Sequence, residues 1–394
     1  MVTQVPGLRR IFTYGVVSRL YFHLPILFVF LLLRDYGVFD VEVLLAVYGI
    51  SLTLASRAGQ LLPPTLPQRY VVAVGEVVKA VGLLAIVAAS PYWLALVGQV
   101  LSGAGFGFTA GRETALLRAI APPERATALQ GNLQSYIFLS TLAGGAVGAV
   151  LFDAAHWLPF VASIVSILVA AAVVAAVHEP APTTPAGGGP TAGAKAPMSG
   201  DRATWVAYYV VSRALAMALF VGFLPYLFFV RLQLHVALFG VVLGLYSVSA
   251  FVSARYVARF GERVGNRAAA VLSAVLVLAA VLLFLQGSLA AALVGIAVLG
   301  LGAGGVRPLG LAGLRLGELA GDARGALLVR QEQIFGVVNA TVLVVGGAIL
   351  DGSSFRVLMV VFAAGYAVFA AGFSVAARPR PQPAAVATPA EARR

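Results

Sequence analysis

The chain has 394 residues, of which 60% are apolar and only 11% charged, against about 25% charged in an average soluble domain. Its mean hydropathy of +0.95 excludes a water-soluble fold and makes lipid the natural solvent. Cysteine is absent and the four histidines lack ligand spacing, which excludes disulfides and Cys/His metal sites, while the two lysines, Lys79 and Lys195, each precede alanine, which excludes a G-x-x-x-x-G-K-[ST] phosphate loop.

Two arginines in the opening MVTQVPGLRR precede a first apolar run at 13–33. No small-residue cleavage site lies ahead of Asp35, so this run reads as a retained helix rather than a removed signal. It carries Arg19, Tyr21 and His23. Further runs follow at 41–61, 70–90, 92–111, 127–151 and 156–177, each near the roughly 20 residues that span hydrocarbon. The third holds Glu76 and Lys79 one turn apart, a spacing at which a pair can neutralise itself. Arg112 and Glu113 stand at the end of the fourth, and Asn132, Gln134 and Tyr136 lie in the fifth.

Residues 178–203 (HEPAPTTPAGGGPTAGAKAPMSGDRA) have no hydrophobic period and read as a flexible linker. Six more runs come after it: 204–230 with Arg213 and Tyr226, 236–256 with Tyr246, 267–286, 288–308 with Arg307, 326–350 with Arg330, Glu332, Gln333 and Asn339, and 355–377. The expected organisation is a six-helix bundle at 1–177, the linker at 178–203, a second bundle at 204–377 and a disordered tail at 378–394.

The net charge of +12 reports orientation and not a nucleic-acid partner. With the N-terminus inside, every basic residue except Arg34, Arg231 and Arg356 falls in an inner loop, a terminus or the inner half of a helix. Both termini and the linker are therefore expected in the cytoplasm, and the chain in the cytoplasmic membrane.

An internal repeat supports the division. VVSR at 16–19 recurs at 210–213; Tyr48, Ser51, Arg57 and Arg69 recur as Tyr246, Ser249, Arg255 and Arg267; Gly98, Gly103, Gly105 and Gly107 recur as Gly295, Gly300, Gly302 and Gly304. Arg125, Gln134 and GAVL at 148–151 recur as Arg324, Gln333 and GAIL at 347–350. Four sets in one order, at offsets of 194, 198, 197 and 199, point to duplication. Six helices per unit make the repeats parallel. Gly300, Gly302 and Gly305 spell G-x-G-x-x-G, but inside a span, where small residues serve helix packing rather than a dinucleotide.

Between the second and third helices of the second half, Ala258, Glu262, Arg263, Gly265, Asn266 and Arg267 stand at the marked positions of G-x-x-x-D-R-x-G-R-R. In the first half those positions are Gln60, Pro64, Thr65, Pro67, Gln68 and Arg69, without the acid and the glycines. With the six-plus-six arrangement, the motif makes the chain resemble the major facilitator superfamily of secondary transporters. Two branch motifs are weak. Gln99, Val100, Leu101, Ser102 and Gly103 occupy the positions of R-x-x-Q-G, and Gly131, Ser140, Gly144, Gly145, Gly148 and Ala149 match three of six positions of G-x8-G-x3-G-P-x2-G-G.

The resemblance implies an all-α fold of twelve transmembrane helices in two pseudo-symmetric bundles, working by alternating access about a midplane site. It also implies a cavity lined from several helices, here by Arg19, His23, Asn132, Gln134, Tyr136, Arg213, Tyr226, Tyr246, Gln333 and Asn339, and an inner gate from Arg112, Glu113, Glu262, Arg263, Arg267, Arg307 and Arg330. Related organophosphate carriers place arginines on the helices of Arg19 and Arg213, which makes these two a candidate anion clamp. Counting along the helix puts them roughly 22 and 27 Å from the outer boundary, where snorkelling is the competing reading. Glu332 and Glu76 are the candidate coupling acids, against a structural role in ion pairs, and His23 is either a titrating group or a core hydrogen bonder. The expected function is export of a drug-like or metabolite solute. The alternatives are uptake or exchange of an organic anion, or a non-transporting scaffold or receptor. Enzymatic activity, a cofactor, a metal and a nucleic-acid partner are not expected; a small solute, the bilayer and protons are, with the chain as a monomer.

Overall fold

A computed structural model describes residues 6–63, 66–88, 91–110, 112–121, 126–179, 200–314 and 321–376. Most of the expected linker, the tail and Pro64 lie outside them. Among the described residues the structure is all helical: α1 (Pro6–Val17), α2 (Leu27–Leu32), α3 (Val38–Gln60), α4 (Gln68–Ala88), α5 (Tyr92–Thr109), α6 (Arg112–Ile120), α7 (Ala126–Ala154) and α8 (Leu158–Ala175), then α9 (Gly200–Ala218), α10 (Phe239–Val264), α11 (Asn266–Phe284), α12 (Leu289–Gly313), α13 (Gly321–Gly352) and α14 (Phe355–Ala376). Two π-helical stretches, Leu219–Phe223 and Tyr226–Arg231, continue α9.

Nine helices among the described residues are long and apolar enough to cross a membrane. Backbone groups inside hydrocarbon must bond within their own segment, which is why spans of this composition fold as helices. Large apolar side chains such as Leu54, Trp93, Val165, Val275 and Val368 stand exposed around the outside, where only lipid can cover them favourably. Short contacts at the helix ends establish the alternation of direction. Arg10 donates to the carbonyl of Ala176, Arg69 to that of Val177 (2.8 Å) and Arg267 to that of Ser374, all at the end rich in arginine, called here the basic face. At the opposite face Tyr92 donates to the carbonyl of Asp40 (3.3 Å).

The repeat seen in the sequence recurs in the packing. Gly103 of α5 lies against the Tyr48 carbonyl and the Ser51 side chain of α3, and Gly300 of α12 lies against the Tyr246 carbonyl and the Ser249 side chain of α10. Gly302 and Gly305 meet Val277 and Val257 on the neighbouring α11 and α10, so the glycine run in α12 is a helix-packing surface.

The first expected span is not one helix. It breaks after Val17 and resumes as a short 3-10 turn at Leu24–Ile26, then α2. Pro25 explains the break, since it lacks an N–H and its ring collides with the carbonyl four residues earlier. The Val16 and Val17 carbonyls, which accept from the backbone N–H groups of Arg19 (3.3 Å) and Leu20 (3.2 Å) at the break, also accept from the Ser140 and Ser166 hydroxyls. Gly144 and Gly148 of α7 admit the backbone of residues 20–22 at a distance no Cβ would tolerate. Irregular backbone at this depth survives because protein, and not lipid, surrounds it.

Candidate functional site

The two halves meet along α3 with α13 and α7 with α10. Gly49 and Thr53 face Gly336, Ala146 faces Gly240, and Gly145 faces Leu243. At the opposite face Asp153 approaches His235 to 3.5 Å across the halves.

Two cavities lie one turn apart along α9 and α10. One, about 30 Å³, is lined by Tyr21, Pro25, Leu142, Phe220 and Leu243 with Thr141 and Ser247 as polar edges, so it opens where the broken helix faces the second half. The other, about 120 Å³, is lined by Arg213, Met217, Tyr246, Val306 and Arg307. Tyr246 is held there by stacking on Phe220, with ring centroids 4.3 Å apart.

Arg213 is bound to Glu332 of α13 at 2.7 and 2.8 Å through one guanidinium nitrogen, and lies 4.0 Å over the Phe335 ring. Tyr209, one turn before Arg213, donates to Glu332 Oε1 at 2.5 Å and accepts from Arg213. The ion pair is not sealed in the core, with side-chain exposures of 29% and 47%. Its counterpart in the first half differs in its partners. Arg19 donates to Glu113 of α6 at 3.0 Å and to the Tyr21 hydroxyl at 2.7 Å, and its guanidinium lies 5.0 Å from the Phe106 ring centre. The repeat-related arginines are thus each neutralised by a carboxylate of their own half.

The remaining expected residues divide by environment. Glu76 and Lys79 form a buried pair at 2.5 Å, and Tyr14 donates to Glu76 Oε1 at 2.8 Å. His23 is buried, with its ring nitrogen 2.9 Å from Ser163 Oγ and its backbone N–H on the same oxygen. Tyr226 stacks on Phe355 near the opposite face. Asn339 lies beside Gly49 with its carbonyl oxygen buried and unpartnered. Asn132 and Tyr136 are exposed on α7, Gln333 is half-buried, and the side chain of Gln134 lies outside the described set. Of the gate candidates, Arg112 donates to the carbonyls of Phe108 (2.8 Å) and Gly59, and Arg267 to Ser374, while Glu262, Arg263, Arg307 and Arg330 are exposed.

Sequence reasoning passed over two residues. Tyr209 shares a helix face with Arg213 at i,i+4, a spacing that could have flagged it. Glu42, the second residue of the expected 41–61 run, is completely buried, and neither of its oxygens has a hydrogen-bond partner.

No protein-family model matches the chain, and no curated protein sequence does. Solved structures do resemble it. The nucleoside transporter NupG superposes with a TM-score of 0.78 at 13% identity over 95% of this chain and 99% of that one. A bacterial homologue of the iron transporter ferroportin, in an inward-facing state, gives 0.72 at 16% over 95% and 98%. An auto-inhibited peptide transporter of the POT family gives 0.72 at 13% over 96% and 98%. Near-complete coverage in both directions extends the likeness to the whole chain, which therefore shares the fold of these transporters.

Proposed function

We propose that the chain is a secondary transporter that exports a small amphipathic solute across the cytoplasmic membrane by alternating access, with the basic face in the cytoplasm. The observation that carries this reading is a cavity between the halves together with a second one, a turn away along α9, inside the second half. Their walls of Met217, Phe220, Tyr246, Val306, Leu142 and Pro25 suit an apolar body, while Tyr21, Thr141, Ser247 and the Arg213/Glu332 pair supply a few directed polar contacts. The half-exposed ion pair gives the solute a wet approach from the basic side. Neutralised arginines favour an uncharged or zwitterionic solute over an anion held between Arg19 and Arg213. The two acids expected to carry a coupling proton are each already engaged by a cation.

The test of carriage is counterflow in proteoliposomes with a panel of neutral, zwitterionic, cationic and anionic amphipathic fluorophores. At least one neutral or zwitterionic member should exchange, and Tyr246→Ala with Met217→Ala should abolish that exchange. Exchange of no member, or exchange indifferent to both wall substitutions, removes the reading.

A second reading, carriage of an organic anion, is favoured by one observation. Arg307 shares the larger cavity with Arg213 and is exposed, so two arginines line this cavity, of which Arg213 is bound to Glu332. Selective exchange of anionic fluorophores, lost in Arg307→Gln, would establish it in place of the first.

A further inference from the structure

Glu42 occupies a position that no ordinary structural role explains. Its carboxyl lies where three elements from both halves converge at the opposite-face end of the interface. A Cβ on Gly222, in the π-helical stretch after α9, would stand 2.5 and 2.6 Å from its two oxygens, and one on Gly347 of α13 would stand 2.8 Å from its Cβ. The carboxyl therefore rests on the bare backbone of Gly222, while Gly347 packs against the Cβ and Cγ of its stem. The π-helical turn is what presents Gly222 there, a local widening of the kind that recurs at functional sites.

Among the described residues no charged group reaches it. On its own helix Asp40 is exposed two residues away, and its carboxylate accepts from the Gly37 N–H (3.3 Å). On the α9 element Asp201 and Arg202 stand in its first turn, about twenty residues from Gly222, Arg213 is bound to Glu332, and Arg231 stands at the far end of the second π-helical stretch. On α13 the neighbour is Asp351, one turn beyond Gly347 and exposed. None makes an ion pair or hydrogen bond with Glu42, both of whose oxygens are buried and unpartnered.

A carboxylate sealed this way carries an uncompensated charge, which low-polarity surroundings penalise heavily, whereas a carboxylic acid loses only the hydrogen bonds of a neutral group. We propose that Glu42 is a proton-binding site of the carrier, which takes a proton from water at the opposite face and must hold it for the two halves to close there. The step is simple in balance: one proton adds to one carboxylate oxygen, and the neutral acid is then covered by Gly222 and Gly347. When α3 parts from α13 and α9, water returns and the proton can leave to that side. The site would thus tie closure of the opposite face to proton concentration outside. This inference rests on the alternating-access reading above.

The absence of cysteine makes the test direct. Spin labels on Trp157→Cys and Leu238→Cys, both exposed near the opposite face in different halves, report its opening; Leu61→Cys and Val264→Cys report the basic face. From about pH 5 to about pH 9, a range spanning ordinary and strongly shifted carboxyls, the opposite-face distance should move from short to long. In Glu42→Gln, which keeps the shape without the charge, it should stay short throughout. Gly222→Ala, whose Cβ meets the carboxyl, should populate the long distance even at low pH. Asp153→Asn removes the contact with His235 at this face and should leave the shift in place. A pH shift that persists in Glu42→Gln, or disappears in Asp153→Asn, overturns the assignment. So does a two-state interface with no pH response. One fixed distance at both faces overturns the alternating-access reading instead.

Discussion

Among the described residues, three cation-carboxylate pairs sit within single halves, and the one with least access to water is Glu76 with Lys79, whose side chains are 0% and 5% exposed. Tyr14 completes its surroundings by donating to the same carboxylate. Removing one member of such a pair strands the other, which typically costs about 3–5 kcal/mol, while replacing both with apolar groups of similar size is often neutral. Glu76→Gln should therefore lower the thermal midpoint in detergent far more than the double substitution Glu76→Met with Lys79→Met. If the double variant is the less stable of the two, the pair is more than a local neutralisation. The i,i+3 spacing made this pair legible in the sequence. The partners of Arg19 and Arg213 were not legible, because Glu113 and Glu332 lie 94 and 119 residues away and only the tertiary arrangement selects them. Glu42 was hidden for a related reason: a carboxyl near the start of an apolar run looks like an interfacial residue until the second half is packed over it.

At the scale of the element, the broken first span shows what a hydropathy window misses. Averaging over 13–33 reads one continuous helix, yet Pro25 divides it and serines from α7 and α8 donate to the carbonyls at the end of α1. The glycines of α7 were read only as a partial family motif, and their physical job is to let residues 20–22 lie against the helix backbone. Gly148→Ala would drive a Cβ into the Phe22 carbonyl, an overpacking cost of about 1–3 kcal/mol or more. It should disturb Arg19 and His23, which flank the break, and lower the melting temperature. Gly265→Ala is the informative comparison, since its φ of 88° brings backbone strain but nothing lies within 4 Å of the added carbon; its cost should be roughly 1–2 kcal/mol with no effect on solute exchange. Equal loss of exchange in both variants would separate the break from function. The glycines repeated between α5 and α12 were, by contrast, read correctly as packing positions, because a small-residue pattern at fixed helical spacing has few other uses in lipid.

For the whole molecule, the duplication, the all-helical class and the two-bundle fold were readable from offsets and apolar runs alone, since lipid leaves the chain so few options. The proposed orientation rests on arginine placement and is open to a direct check. A reporter active only outside the cytoplasm should stay silent when fused after Arg394 and give signal when inserted at Gly352, between α13 and α14; the reverse pattern would invert the proposed topology.

The confinement of each ion pair to its own half bears on electrical behaviour. Arg19 moves with Glu113, Lys79 with Glu76 and Arg213 with Glu332, so rocking one half against the other drags three neutral dipoles through the field and not three net charges. Each unpaired charge crossing the membrane would couple to about 2.3 kcal/mol per 100 mV, and these groups contribute almost none of it. Exchange of an uncharged solute in proteoliposomes clamped with potassium and valinomycin should then run at nearly the same rate at zero and at 100 mV inside negative. The residual voltage dependence should come from the proton on Glu42 and be absent in Glu42→Gln, whereas a steep dependence surviving in that variant would mean that one of the three pairs separates during the cycle.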